Sequence, residues 1–445
     1  MTTSGPYSTL DWPSQVIVGI TEQLQQKSDP VTAQLFGCGE DNYRLLLSVA
    51  RDLVAGASLS GSCEVLKALA DVSYAKMSRG ESQICWRRLY TDAHILRSMA
   101  GIDGNTALEA IGHLDRAIII AGAAGDGRLD LILSLISKIQ SSYVQALHLP
   151  TTSAYARSNQ LPREPLQIKT SRHPIPCMER SPSLQTFQTS SYKYPFVLRR
   201  FASDWPAINE HPWSSTAYLR SVAGPGRLVP VEVGADYRAD DWTQKLMSWN
   251  EFLASLDLED QTGVSRKEVL YLAQHNLLMQ FRDLNADIIV PDYAYTSLPP
   301  PSDFPGYKPP GNEDQLVINA WLGPQGTISP AHTDPYYNLF VQAVGRKTVW
   351  VTSPELSKYM YPYTAQHSEN PATNANSTSM DNTSHVDVFC DESGGDRYPE
   401  FWKHVVEHKF TMHATLEPGD LLFLPPGWWH AMRAEETSFS VSMWF

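Results

Sequence analysis

The chain has 445 residues, 42% of them hydrophobic and 19% charged, and a formal net charge of −13. Those proportions exclude a disordered chain and leave room for two or three domains with at least one large core. Residues 1–180 hold 17 basic and 17 acidic side chains and residues 181–445 hold 18 and 31, so all the excess acidity is C-terminal. This argues against a nucleic-acid backbone as a direct partner and favours a cationic one.

Five scattered cysteines (Cys38, Cys63, Cys85, Cys177 and Cys390) show no metal-ligand spacing. They point to a reducing, intracellular compartment, nuclear or cytoplasmic. The start, "MTTSGPYSTLDWPSQ", lacks the basic and apolar regions of a signal peptide. No apolar run approaches the roughly 18 residues of a membrane span.

In chain order, residues 1–150 read as an all-α domain. "DNYRLLLSVARDLVAG", "SCEVLKALADVSYAKMS", "SQICWRRLYTDAHILRSMA", "TALEAIGHLDRAIIIAG" and "GRLDLILSLISKIQSSYVQAL" repeat apolar residues every three or four positions. Gly, Ser, Asn or Asp punctuates them, as helix stops and caps do. A helical bundle and a helical repeat both fit, because no fixed period emerges. Nothing here looks catalytic; the expected role is contact with other proteins. Residues 151–182 are rich in Pro, Ser, Thr and Arg and read as a linker.

From residue 183 the texture changes to short apolar stretches broken by Pro and Gly. "YPFVLRRF", "LVPVEVG", "EVLYLAQH", "QLVINAWLG", "NLFVQAVG", "KTVWVTS", "DLLFLP" and "SFSVSMWF" predict a mostly β sandwich or barrel over 183–445. "DDWTQKLMSWNEFLASL" reads as a helix among the strands, and the polar stretch 365–385 as a long surface loop.

The stretch "SPAHTDPYYNLFVQAVGRKTVW" holds the chemistry. Its two apolar runs, joined by Gly345-Arg346, predict a hairpin with Val344 opposite Lys347. Period-two alternation then sets Lys347, Gln342, Phe340, Asn338, Asp334 and His332 on one face. A second histidine, His430, follows the Pro418-Gly419-Asp420 turn and the strand in "EPGDLLFLPPGWWHAMRA". His332, Asp334 and His430 form the two-histidine, one-carboxylate set that holds non-haem Fe(II) and leaves positions open for a co-substrate and O₂. Lys347, set in an apolar strand, needs an anionic partner. The far carboxylate of 2-oxoglutarate supplies one.

"NAWLGPQGTISPAHTDPYYNLFVQAVGRKTVW", "EPGDLLFLPPGWWHAMRA" and "SFSVSMWF" resemble the JmjC-domain 2-oxoglutarate oxygenases. The resemblance runs through most of residues 182–445. It implies a double-stranded β-helix of the jelly-roll, cupin type, with Fe(II), 2-oxoglutarate and O₂ as cofactor and co-substrates. His332, Asp334 and His430 become the iron ligands. Lys347, Asn338, Tyr271 and Ser329 match 2-oxoglutarate contacts. Glu232, Tyr237 and Trp321 match an arginine pocket. The implied function is hydroxylation of a protein side chain, arginine on carbon, on a basic substrate such as a histone or a ribosomal protein. Demethylation of histone methyl-lysine is the alternative in the same chemistry, and a non-catalytic scaffold is the alternative outside it. Gly427 and Trp428, just before the last ligand, depart from the resembled pattern.

Overall fold

The computed structural model describes residues 11–81, 83–144, 168–234, 236–239, 241–256, 268–363, 380–390 and 397–445. The N-terminal part contains α1 (Trp12–Gln25), α2 (Glu40–Val54), α3 (Leu59–Ser78), α4 (Ile84–Met99), α5 (Ala107–Ala121) and α6 (Arg128–Tyr143), with short turns of helix between α1 and α2. Side-chain caps start them where the sequence offers one: Asp11 accepts from the Ser14 amide and Ser58 from the Gly61 amide. Gly122, at φ +63°, closes α5 in the left-handed conformation. α4 is buried nearly all round and packs on α3 and α5. Two of its charged side chains are internal: Asp92 accepts from Arg88 Nε (2.9 Å) and from Arg128 Nε of α6 (2.7 Å). α1 precedes the first of the segments quoted as helical, yet Ile17, Val18, Ile20 and Leu24 bury one of its faces.

The C-terminal part contains β1 (Leu228–Val233), β2 (Thr243–Ser248), β3 (Leu270–His275), β4 (Val317–Gly323), β5 (Ile328–Thr333), β6 (Asn338–Val344), β7 (Lys347–Thr352), β8 (Met412–Leu416), β9 (Leu421–Leu424), β10 (Trp429–Ala434) and β11 (Ser438–Trp444). The last eight strands form two facing antiparallel sheets, ordered β9-β6-β11-β4 and β8-β7-β10-β5. Consecutive strands alternate between the sheets except at β7 and β8, which are neighbours in the second, and this is the jelly-roll double-stranded helix. β3, β1 and β2 extend the first sheet beyond β4. Phe340, Val349, Val351, Leu422, Leu424 and Met432 fill the space between the sheets. A larger core, with Leu339, Val341 and Val441, covers the outer face of the first sheet.

Three sequence expectations change. First, β6 and β7 are not a hairpin: β6 pairs with β9 and β11, β7 with β8 and β10. Gly345 (φ +68°) lies so tightly on the Thr437 carbonyl that no side chain fits, and the chain crosses there from one sheet to the other. The face assignment survives, because even positions of β6 and odd positions of β7 both point into the barrel. Second, residues 243–248 are strand β2 rather than helix; pairing with β1 along its length overrides a pattern that also fits a helix. Only Trp249–Ala254 is helical there. Third, residues 168–178, at the end of the stretch that reads as linker, are packed. His173–Pro174 pairs with β8, Cys177–Met178 pairs with Phe196–Leu198, and Trp350 Nε1 donates to the Thr170 carbonyl. Two-residue strands carry too little alternation to be read. Residues 151–167 of that linker, and 365–379 of the loop read at 365–385, lie outside the described residues.

No described helix is long and apolar enough to cross a membrane.

Candidate metal centre

His332 is the second-last residue of β5 and His430 the second of β10, and the two face each other across that strand pair. Asp334 follows β5 and turns one carboxylate oxygen towards each imidazole. One ligand atom from each of His332, Asp334 and His430 lies within 4.8 Å of the others. His332 Nε2 is 3.7 Å from Asp334 Oδ1, and His430 Nε2 is 3.5 Å from Asp334 Oδ2. The other nitrogen of each ring is tied to backbone: His332 Nδ1 to the Pro330 carbonyl at 2.7 Å, His430 Nδ1 to the Trp428 carbonyl at 3.0 Å. With Nδ1 donating, each Nε2 lone pair is free and aimed at the shared space. The Gly427 amide donates to the Asp334 carbonyl at 2.8 Å, joining the two halves of the cluster.

Burial, helped by the neighbouring His430, holds His332 down at about 4, so that ring is neutral at physiological pH. Burial also pulls on His430, but the Asp334 carboxylate outweighs it and leaves this ring above its ordinary value. Burial raises Asp334, and the two imidazoles more than offset that, so its carboxyl stays ionised. Two imidazoles and one carboxylate, with no thiolate, suit Fe(II) or a similar divalent ion and leave coordination positions open.

Lys347 opens β7 and points into the barrel, 2% exposed. Its Nζ is 3.4 Å from the Tyr271 hydroxyl and sits over the rings of Tyr271 and Phe340 at 5.6 and 5.5 Å. No carboxylate among the described residues pairs with it. Burial lowers its pKa to about 7. The pocket therefore has a cation whose partner must come from outside the described residues. The Asn338 Oδ1 atom is likewise buried without a hydrogen-bond partner. Lys347 is four residues from Val351, which stands opposite His430, so the two ends of the cavity are about 13 Å apart along the strand.

The other sequence-predicted residues gather around these two ends. Ser329, opposite Met432 on β10, acts on the Tyr271 hydroxyl, whose pKa burial pushes up. Glu232 on β1 stands opposite Tyr271 on β3. Its carboxylate accepts from Trp242 Nε1 at 3.3 Å, and burial raises its pKa against the pull of Trp242 and Gln244. The Trp321 ring is 6.2 Å from that of Tyr271, with its Nε1 donating to Ser442 Oγ. The Tyr237 hydroxyl is 3.3 Å from Thr383 Oγ1, and Thr383 bridges to His332.

Sequence reasoning missed Trp242, Phe340, Thr383 and the carbonyls of Pro330 and Trp428. Period two puts Phe340 on the right face but does not say what sits above it. The carbonyls have no side-chain signature.

A model described as "Cupin-like domain" matches residues 185–445. The chain is 32% identical over 412 residues to the Danio rerio protein named lysine-specific demethylase 8, spanning 90% of this chain and 91% of that one. It is 36% identical over 284 residues to the Drosophila melanogaster Jumonji C domain-containing protein 5, spanning 63% and 62%. It is 29% identical over 417 residues to the Arabidopsis thaliana lysine-specific demethylase JMJ30, spanning 88% of each. A two-sheet jelly roll with a His-Asp-His cluster on β5 and β10, matched along nearly its whole length by such relatives, belongs to the cupin-like JmjC family of oxygenases.

Proposed function

We propose that the chain is an Fe(II)- and 2-oxoglutarate-dependent dioxygenase that hydroxylates a carbon of an arginyl side chain in a protein substrate. His332, Asp334 and His430 hold the metal; Lys347, Tyr271, Ser329 and Asn338 hold the co-substrate. When bound, the iron couples oxidative decarboxylation of 2-oxoglutarate to oxygen insertion into a substrate C–H bond. The chain itself does the placing. Tyr271 and Lys347 pair the far carboxylate, and the apolar barrel floor of Phe340, Val349 and Val351 excludes water from it. Trp428 and Pro330 hold the imidazoles in the ligating tautomer. No protein nucleophile or general base is needed.

The observation that carries the arginine assignment is Glu232. It is a largely buried carboxylate whose hydrogen-bond donors, Trp242 and Gln244, are neutral, and no cation pairs with it among the described residues. A guanidinium satisfies it with two parallel hydrogen bonds while stacking on Tyr237 or Trp321, which an ammonium cannot do. The second reading, methyl-lysine demethylation, is favoured by the names of two relatives. On an N-methyl carbon the same oxygen insertion yields a product that sheds formaldehyde. Glu232→Gln separates the readings. The account expects weaker arginine-peptide binding with uncoupled 2-oxoglutarate turnover retained. Wild-type arginine hydroxylation in that variant overturns the arginine assignment. All five cysteines are free thiols, two of them exposed, which fits a reducing intracellular setting.

A further inference from the structure

Asp115 lies on α5 of the helical part, fully buried, yet every hydrogen bond to its carboxylate comes from the catalytic part. Arg227 donates through Nε (3.0 and 3.1 Å) and Nη2 (2.8 Å), the Leu228 amide at 2.7 Å, and Gln280 Nε2 at 2.8 Å. Leu228 opens β1. Gln280 Nε2 also donates to the Leu228 carbonyl at 2.7 Å, and Gln280 Oε1 is 2.8 Å from His275 Nε2, at the end of β3.

These two strands are hydrogen-bonded to each other at only two residue pairs, Glu232–Tyr271 and Val233–Leu270. Beyond them the ladder stops. β3 is irregular against β4 between Leu272 and His275, and Gln274 takes a positive φ of 49°. Where backbone pairing ends, the Asp115–Gln280 cluster spans the opening and ties Leu228 to His275. One carboxylate of the helical part thereby anchors the outer ends of both strands whose inner ends carry Glu232 and Tyr271.

We propose that Asp115 is a positioning residue of the catalytic site: the helical part completes the wall that holds Glu232 over the substrate and Tyr271 beside Lys347. The inference rests on the proposed roles of Glu232 and Tyr271. The metal ligands sit on β5 and β10 and beside them, outside this anchor, so the anchor acts on substrate and co-substrate but not on metal.

The test uses Asp115→Asn and Gln280→Leu in the full chain. Hydrogen exchange is followed strand by strand, with Mn(II) affinity and 2-oxoglutarate affinity of the Mn(II)-loaded protein. Removing an acceptor from a shared buried network changes its members by about tenfold in equilibrium terms. The expected result is exchange about tenfold faster in β1 and β3, unchanged exchange in β10, 2-oxoglutarate binding about tenfold weaker, and Mn(II) affinity within about twofold of wild type. Should Asp115→Asn not fold, Gln280→Leu decides, because it keeps the Asp115–Arg227 pair and the Leu228 bond. A folded variant with wild-type exchange in β1 and β3 overturns the inference. So does Mn(II) affinity that falls in parallel with 2-oxoglutarate affinity, which is general loosening. Wild-type protein that binds no 2-oxoglutarate counts against the functional reading, and the exchange data still decide the anchor.

Discussion

Replacing Lys347 by methionine exposes a conflict between stability and binding that the structure builds in. Burial brings the ammonium from its ordinary 10.5 to about 7. Each unit corresponds to 1.36 kcal/mol, so the free protein carries a penalty of about 5 kcal/mol for this side chain. The sign follows from proton counting. Between pH 7 and 10.5 the unfolded chain binds more protons than the folded one, so the penalty is full below about pH 7 and fades as pH rises towards 10.5. Lys347→Met keeps length and apolar contact with Phe340 and removes the charge. It should therefore stabilise the free protein, most strongly at or below pH 7, by up to about 5 kcal/mol. The same change leaves the far carboxylate of 2-oxoglutarate buried without a cation, at a cost of about 3–5 kcal/mol, or two to three and a half orders of magnitude in affinity. Denaturant unfolding at pH 6.5 and at pH 9.5, about half a unit below 7 and one below 10.5, reads the first effect; titration of 2-oxoglutarate into Mn(II)-loaded protein reads the second. A variant that is less stable at low pH and binds 2-oxoglutarate normally would refute the reasoning.

Four other outcomes are expected. His332→Ala removes one of three protein ligands and should abolish both tight Mn(II) binding and succinate formation; normal turnover there ends the triad assignment. Gly427→Ala forces a side chain into a backbone at φ +78° and against Phe304 at 2.6 Å, disturbing the Gly427–Asp334 bond and the Trp428 carbonyl that orients His430. Metal affinity should fall about 10–100-fold, measured by competition with a chelator. Because Lys347 titrates near 7 when free and pairs as a cation, 2-oxoglutarate binding at pH 8 should take up close to one proton, seen as a buffer-dependent heat in calorimetry. Glu232→Gln should also remove part of the ionic-strength dependence of arginine-peptide affinity, with no effect on 2-oxoglutarate affinity.

Much of this site is legible in the residues because period two constrains which way side chains point. His332, Asn338 and Lys347 could be set on one interior face from parity alone, even though the pairing used to argue it is wrong. Alternation identifies a face; it does not identify a partner strand. What turns the chain at Gly345 is the carbonyl of Thr437, some ninety residues on, and no local pattern reports that contact. The helices α2 to α6 were readable for the same reason that they are stable, an apolar stripe with caps at its ends. Strand β2 was not, since Leu246, Trp249, Phe252 and Leu253 fit a helical stripe as well as an alternating one. Asp115 carries no signal of its own in the sequence. Its role depends on Arg227, Leu228 and Gln280, which meet it only in the folded chain.

The claim that the pocket hydroxylates arginine is tested most directly by mass spectrometry. The purified chain, Fe(II), 2-oxoglutarate and O₂ are incubated with matched arginine, lysine and methyl-lysine peptides, and succinate is followed in parallel. The account predicts that arginine peptides gain one oxygen atom in step with succinate, and that no formaldehyde appears. Methyl-lysine peptides losing a methyl group with stoichiometric formaldehyde, while arginine peptides stay unchanged, would contradict it.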